Sequence, residues 1–452
     1  MFANTFNDDV LTVEIEFDNG YIYKASSDAT ADDIEGVLQS VKFNCINNID
    51  NVGVLGLVFS SSCDLSIIDE NNILNTNNVN SPVKDYLKSN QKVRVYVDNS
   101  LYKTFRTNSF TSDNVFIVDE TSTTTGICSV GCFDLLKMIG SKQLEDKDIK
   151  QNVTLKDYII SILTAGGVNS NDIIVDESID SDIRYTVGEF NSVERALNDI
   201  CQSNMLSISV DKDEKVHVSI NEFTADTSDY DISINQIIPP ITSSYIDNDK
   251  SFDDIQLIYQ ENSLSSNIEL IKEFDYLVKS GRNEIRGILL DIRCGGIDTV
   301  RVIPSDVMLE MDDINVEYTG TSDSMNLVIN SNRQFNCHIA IYGKVLVIDT
   351  KTAIGSSDNR VMISNTLIQT PEQAEEFISK AHEYIEASKR KIVLNTNVGF
   401  VMEVGDIVRL TNSDGTSGID GLSSINTLFK IIEINYSYEI TYNAEVTLVR
   451  LN

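Results

Sequence analysis

The chain of 452 residues has no tryptophan, five prolines and three histidines, and it is short of basic residues: Lys plus Arg is 35 against 69 Asp plus Glu, a formal charge of −34. Each shortage excludes something. Sequence-independent affinity for nucleic acid comes from Lys and Arg displacing counterions, so a chain this acidic repels a phosphate backbone and no specific nucleic-acid binding is expected. His217, His338 and His382 stand far apart, and neither His-x-x-x-His nor Cys-x-x-Cys occurs, so local sequence nowhere delivers two ligands to one ion. No apolar window of about eighteen residues exists, and the opening Met1-Phe2-Ala3-Asn4-Thr5 lacks the basic and apolar regions of a secretory signal. The expectation is a soluble protein made in a cytoplasm, with no membrane insertion of its own. Seven cysteines, an odd number and mostly widely spaced, argue for reduced buried thiols over a disulfide framework. The missing tryptophan also counts against a sugar-stacking groove.

What is present is enough apolar residue, 41%, for packed cores, in a chain long enough for about three domains. Residues 1–125 read as an all-β barrel or sandwich. Val10 to Phe17 alternates, Asp18-Asn19-Gly20 supplies a turn and Tyr21 to Tyr23 resumes; Val52 to Phe59, Lys92 to Val97, Leu101 to Phe105 and Val115 to Val118 continue in the same manner. The Asn-rich Asn71 to Ser81 reads as an exposed loop. Residues 126–225 read as an α/β module. In it, Gly126 to Phe133 is a strand leading into a short helix, and Thr154 caps a helix carrying Leu155, Tyr158, Ile159, Ile162 and Leu163 on one face. A second helix starts at Asn191 with Val193, Ala196, Leu197, Ile200 and Cys201 as its stripe, and a hairpin runs from Met205 to Ile220. Pro239-Pro240 is the best linker candidate. After it come further strands and one long helix, opened by Thr370-Pro371-Glu372-Gln373 and closed by Lys389-Arg390-Lys391.

Motifs that carry chemistry are absent. There is no Gly-x-Ser-x-Gly elbow, Walker A loop or dinucleotide fingerprint. Cys128 and Cys132 share one face of a strand, which core packing explains better than a metal. Asp211-Lys212-Asp213 with Glu222 imitates a calcium loop, but Lys215 and Val216 stand where a ligand and the turn glycine belong, so a hairpin is the better reading; Asp247-Asn248-Asp249 fails in the same way, with Asp253 and Ile258 at the required positions. Asp176-Glu177 and Asp180 to Asp182 read as solvated loop. Catalytic, cofactor and metal residues are therefore all expected to be none, although paired carboxylates for glycoside hydrolysis declare themselves only in space.

Several segments, in order, resemble the baseplate-hub or tail-tip hub proteins of tailed phages and related contractile injection particles. They are Lys92 to Phe110 followed by Ser129-Val130-Gly131-Cys132-Phe133-Asp134-Leu135-Leu136; Val187-Gly188-Glu189-Phe190-Asn191-Ser192-Val193 with the hairpin Ser207 to Val216; and the helix Thr370 to Arg390 with Val404-Gly405-Asp406-Ile407-Val408, Phe429 to Ile432 and Val446 to Val449. The resemblance implies a mainly β fold with an α/β insert: two tube-like β-barrel domains, at 1–125 and at 226–300 with 365–452, and a small α/β module at 126–225; residues 301–364 match the family pattern poorly and read as an inserted β domain. It implies a non-enzymatic homotrimer in the virion tail or baseplate of a particle assembled in a bacterial cytoplasm. Six barrels would then form a ring that joins the sixfold tail tube to a threefold spike and encloses the channel. Implied partners are the tube protein, a spike or tip protein, the tape-measure protein and other baseplate proteins. The rival readings are a peptidoglycan-degrading tail component and a receptor-binding tail component.

Overall fold

A computed structural model describes residues 10–31, 33–47, 55–113, 126–144, 149–186, 190–222, 224–245, 253–305, 314–357, 359–388, 390–398, 401–416, 418–419, 423–424, 426–439 and 442–451. The fold is mainly β and multi-domain, with a closed seven-strand barrel and a half-barrel. The barrel strands are β1 (Leu11–Glu16), β2 (Ile22–Ser26), β3 (Gly36–Asn47), β4 (Leu57–Asp69), β5 (Lys92–Val97), β6 (Ser100–Asp113) and β7 (Gly126–Phe133), in spatial order β3-β2-β1-β5-β6-β7-β4, and pairing of β3 with β4 closes the ring. Alternation is the cause. In β1, Leu11, Val13 and Ile15 are buried while Thr12, Glu14 and Glu16 reach the outside. Gly20, at φ +82, makes the expected turn before β2, and Asp98 and Asn99, both at positive φ, make the two-residue turn between β5 and β6. The strand expected at Val115 to Val118 lies outside the described residues.

The structure departs from the residue pattern in β7. The pattern assigns Gly126 to Phe133 to the α/β module, but β7 bonds to β4 and β6 and completes the barrel. The Asn71 to Ser81 loop is also less free than its composition suggests: Leu74 enters the barrel core, and its N–H donates to Asp69 Oδ2 at 2.7 Å.

The module that follows packs α1 (Leu135–Gly140), α2 (Leu155–Ala165) and α3 (Val193–Asn204) against the antiparallel hairpin of Leu206–Val210 and Val216–Ile220. Thr154 caps α2 by accepting from Asp157 N at 3.1 Å, and the five apolar residues on its expected face are all buried. The cap of α3 is Ser192, one residue later than Asn191, because the Ser192 hydroxyl is the group that reaches Arg195 N.

The C-terminal half-barrel contains Tyr230–Ser233, Ile237–Tyr245, Arg390–Thr396, Ile407–Thr411, Leu428–Tyr438 and Tyr442–Arg450. Pro239 and Pro240 lie inside its edge strand, not in a linker. The register with Arg390–Thr396 slips between Ile238 and Thr242, so the missing proline N–H groups interrupt no ladder bond. Helix α4 (Pro371–Ser388) begins where expected, with Gln373 N donating to Thr370 Oγ1 at 3.1 Å; Arg390 and Lys391, read as its closing cations, already belong to the next strand.

Strands from Asp254 to Pro304 do not join the half-barrel. They form one inserted unit with the strands up to Ser364, organised by the twenty-residue strand Phe335–Ile354. That strand pairs with Glu269–Val278 and Cys294–Pro304 along its first half and with Asp254–Leu264 along its second. These partners are distant in sequence, and alternation alone does not reveal them. The insertion has its own core around Ile271, Val302, Leu327, Ile339 and Ile341. All seven cysteines are buried, and none is in a disulfide.

Candidate functional site

The feature on which the architecture turns is the seam between barrel and half-barrel. Strand Leu428–Tyr438 bonds antiparallel to β3, from Ile434 opposite Cys45 to Tyr438 opposite Val41, so one continuous sheet runs through both modules. Their apolar residues form a single core. At the seam Phe43 lies 5.7 Å from Phe105 and 5.9 Å from both Tyr102 and Tyr436, centroid to centroid, mostly edge-on. The buried Tyr436 hydroxyl donates to Met402 O and accepts from Met402 N, both at 3.1 Å, which fixes the segment before the Val404-Gly405-Asp406 turn.

That turn gathers three carboxylates. Gly405, at φ +97, lets its N–H reach Ile431 O at 2.8 Å, a conformation a side chain would strain. Asp406 Oδ2 accepts from Glu403 N at 2.7 Å, and Asp229 Oδ2 accepts from Ile407 N at 2.8 Å. Burial, reinforced by the charges of Glu403 and Asp229, pushes the Asp406 carboxyl up to about 6. A raised carboxyl beside two others is the kind of place where acid–base chemistry begins. Here, however, Asp406 and Asp229 hold backbone N–H groups of the turn, and neither of the two cavities beside α4 reaches them.

A second joint ties the α/β module to the barrel. Asp134, buried in the Asp134-Leu135-Leu136 segment, accepts from Lys137 N at 2.8 Å and from Ser61 N at 2.5 Å, and its own N–H donates to Ser61 O at 2.9 Å. It therefore caps α1 and bonds it to β4. Burial raises its carboxyl, opposed by the charge of Lys103. Lys103 Nζ donates to Val210 O at 2.9 Å, and at the hairpin tip Glu214 takes both Arg106 nitrogens, at 2.5 and 2.8 Å, and Lys92 at 2.8 Å. A third joint is Lys430, whose Nζ donates to Asn221 Oδ1 at 2.9 Å and Glu222 O at 3.1 Å, while the Tyr384 hydroxyl of α4 donates to Asn221 O.

The histidines and acidic clusters stay apart. His217 Nε2 meets Asp211 Oδ2 at 2.8 Å, while Asp211 Oδ1 accepts from Asp213 N and Lys215 N, which is a hairpin turn and not a calcium loop. His338 places Nδ1 on Asp275 at 2.9 Å and Nε2 on Glu273 at 3.3 Å, a separate partner for each nitrogen. His382 Nδ1 faces Asp253 O at 3.1 Å. Among the described residues no group of His, Cys, Asp and Glu is arranged to hold a metal, and no helix is long and apolar enough to cross a membrane. Asp247-Asn248-Asp249 and Val187-Gly188-Glu189 lie outside the described residues. A cavity of about 330 Å³ separates α4 from the module and is lined by Ile179, Leu367, Phe377 and Tyr384; another of about 640 Å³ separates α4 from the insertion, beside Tyr259 and Ile354. In the second, the Asp254 carboxylate accepts from the backbone N–H groups of Ile255 and Ser357.

No family model matches the sequence, and no curated protein matches it. Solved structures do. The 43 kDa tail protein of prophage MuSo2 from Shewanella oneidensis aligns with a TM-score of 0.52 at 9% identity, covering 98% of this chain and 98% of that one. A tail protein from Neisseria meningitidis MC58 aligns with a TM-score of 0.50 at 9% identity, covering 97% of this chain and 96% of that one. The chain has the fold of these phage tail proteins along nearly its whole length.

Proposed function

We propose that the chain is a structural hub at the tip of a phage tail or phage-tail-like particle, joining the sixfold tube to a threefold spike. The observation that carries this reading is the seam: one polypeptide holds a barrel and a half-barrel in a single sheet, within a fold shared end to end with phage tail proteins. Three copies would present six such modules, three closed and three open, and neighbouring modules would meet through heterologous contacts that close a ring. The tube protein, a spike or tip protein and the tape-measure protein are the partners of such a hub. An acidic lumen, if the −34 charge is concentrated there, would repel passing phosphates.

The role is geometric rather than catalytic. Of the three carboxylates gathered at the seam, Asp406 and Asp229 are used on backbone donors, and the Asn-rich loop of the receptor-binding alternative is anchored through Leu74. The test is imaging of assembled particles in which this chain carries a C-terminal tag. Label confined to the tube-to-tip junction, with three copies per particle, is expected. Label on fibres, or particles that form normally without the chain, overturns the reading, and lysis of purified peptidoglycan by the isolated chain restores the enzyme alternative.

A further inference from the structure

The strand Phe335–Ile354 has an open edge. Along its first half it is paired on both sides, but Cys294–Pro304 stops opposite Val345, and among the described residues nothing pairs with that side of residues 347–354. Their other side is taken by Asp254–Leu264. The side chains there are exposed and partly apolar: Val347 46%, Ile348 40%, Ile354 55%. Open edges invite another strand, and proteins usually guard them with proline, bulges or charged side chains, lysine above all; here the charges are one of each sign, Asp349 and Lys351, which a second copy can match. The half-barrel's edge is guarded by Pro239 and Pro240. Residues 347–354, Val-Ile-Asp-Thr-Lys-Thr-Ala-Ile, contain no proline or glycine and are rich in β-branched residues.

We propose that this edge pairs antiparallel with the same edge of a second copy, about a two-fold axis at Thr350. Charge selects the partner and the register. With the axis at Thr350, Asp349 of each copy stands opposite Lys351 of the other and Ile348 opposite Thr352; the pairing stops short of Leu346, whose N–H already donates to Arg293 O at 3.0 Å. An axis at Asp349 sets two carboxylates face to face, and an axis at Lys351 sets two ammonium groups face to face, both unfavourable. Axes between these residues leave both charges opposite neutral side chains. In the single chain Lys351 Nζ already lies 2.6 Å from Asp349 Oδ2, with both side chains exposed, so the charges are placed at the edge where a second copy meets them. An isologous contact of this kind is self-limiting and does not propagate into fibres. It does not rest on the hub reading.

The test uses the full chain with Thr350→Cys and a short bis-maleimide; the seven native cysteines are buried and give no background. A covalent dimer is expected, because Thr350 faces its own copy across the axis. Asp349→Lys in that background turns two attractive pairs into two repulsive ones and should lower cross-linking about tenfold, and the further swap Lys351→Asp should restore it. Circular dichroism and the solution mass of each variant check folding and assembly. Absence of a Thr350→Cys dimer in folded protein overturns the proposal, as does cross-linking indifferent to the charge reversal. A threefold mass without the cross-link would leave the hub reading standing and remove this one.

Discussion

Replacing Lys430 with methionine should change the sign of its effect on stability between pH 7 and pH 10.5. Lys430 sits where the half-barrel meets the module exit, and burial lowers its ammonium from 10.5 to about 8. At 1.36 kcal/mol per pH unit the difference amounts to about 3 kcal/mol by which burial of the charge opposes folding at neutral pH. The direction follows from proton counting. Below pH 8 both states hold the proton. Between about 8 and 10.5 the unfolded chain holds it and the folded chain does not, so wild-type stability rises with pH across that window. Methionine keeps the volume and removes the charge, but it leaves Asn221 Oδ1 and Glu222 O without this donor, at a cost of about 1–2 kcal/mol. The variant should therefore be more stable than wild type by about 1–2 kcal/mol at pH 7 and less stable by a similar amount at pH 10.5. Urea unfolding of both proteins at several pH values, read as their difference so that other titrating groups cancel, measures this. A difference that does not vary with pH would show that the Lys430 ammonium is solvated in the folded protein and would refute the reasoning.

Asp134→Ala removes the cap of α1 and leaves Ser61 N and Lys137 N without an acceptor, which should destabilise the barrel–module joint by about 2–4 kcal/mol, visible as faster amide exchange in Leu135–Gly140 and β4. Asn262 is 1% exposed in the insertion and neither its Oδ1 nor its Nδ2 has a partner, so Asn262→Leu should stabilise by about 1–3 kcal/mol in thermal unfolding; a loss of stability would mean the amide is satisfied in solution.

What could be read from the sequence was local. Asp18-Asn19-Gly20, the stripe of α3 and the Thr370-Pro371 opening of α4 each place their determinants within a few residues, and each element formed there. The boundaries that moved depend on remote partners. Gly126 to Phe133 looks the same whether it joins a helix that follows it or a strand sixty residues earlier, and only the register of Cys132 opposite Cys63 decides. The strands between Asp254 and Pro304 similarly take their assignment from Phe335–Ile354, which lies after them in the chain. Of the seam, the Val404-Gly405-Asp406 turn was among the segments that carry the resemblance, whereas its union with Tyr102 and Asp229 was not legible, since nothing local links residues so far apart. The burial of Asn262 carried no local signal either: Ile255, Leu257 and Tyr259 are the alternate buried positions of its strand, and Asn262 falls on the opposite parity.

Packing sets which parts of the chain can move against one another. Barrel and half-barrel share one apolar core and one sheet, so relative motion between them would break the ladder from Ile434 to Tyr438 and expose Phe43 and Tyr436 together. The insertion is built differently: it has a core of its own, and it meets the frame at its base, where Ile255, Leu257, Tyr259 and Ile363 join a buried cluster with α4 and with Leu428, Ile432 and Val449 of the half-barrel, beside a cavity of about 640 Å³. Well-packed interiors are stiff, while poorly filled contacts allow displacement at little cost. The shared frame is thus rigid up to the base of the insertion, and the part of the insertion beyond that base, held by its own core, is the part able to adjust to a neighbour. Truncating Ile339 in the insertion core should accordingly loosen the insertion while leaving the seam ladder intact.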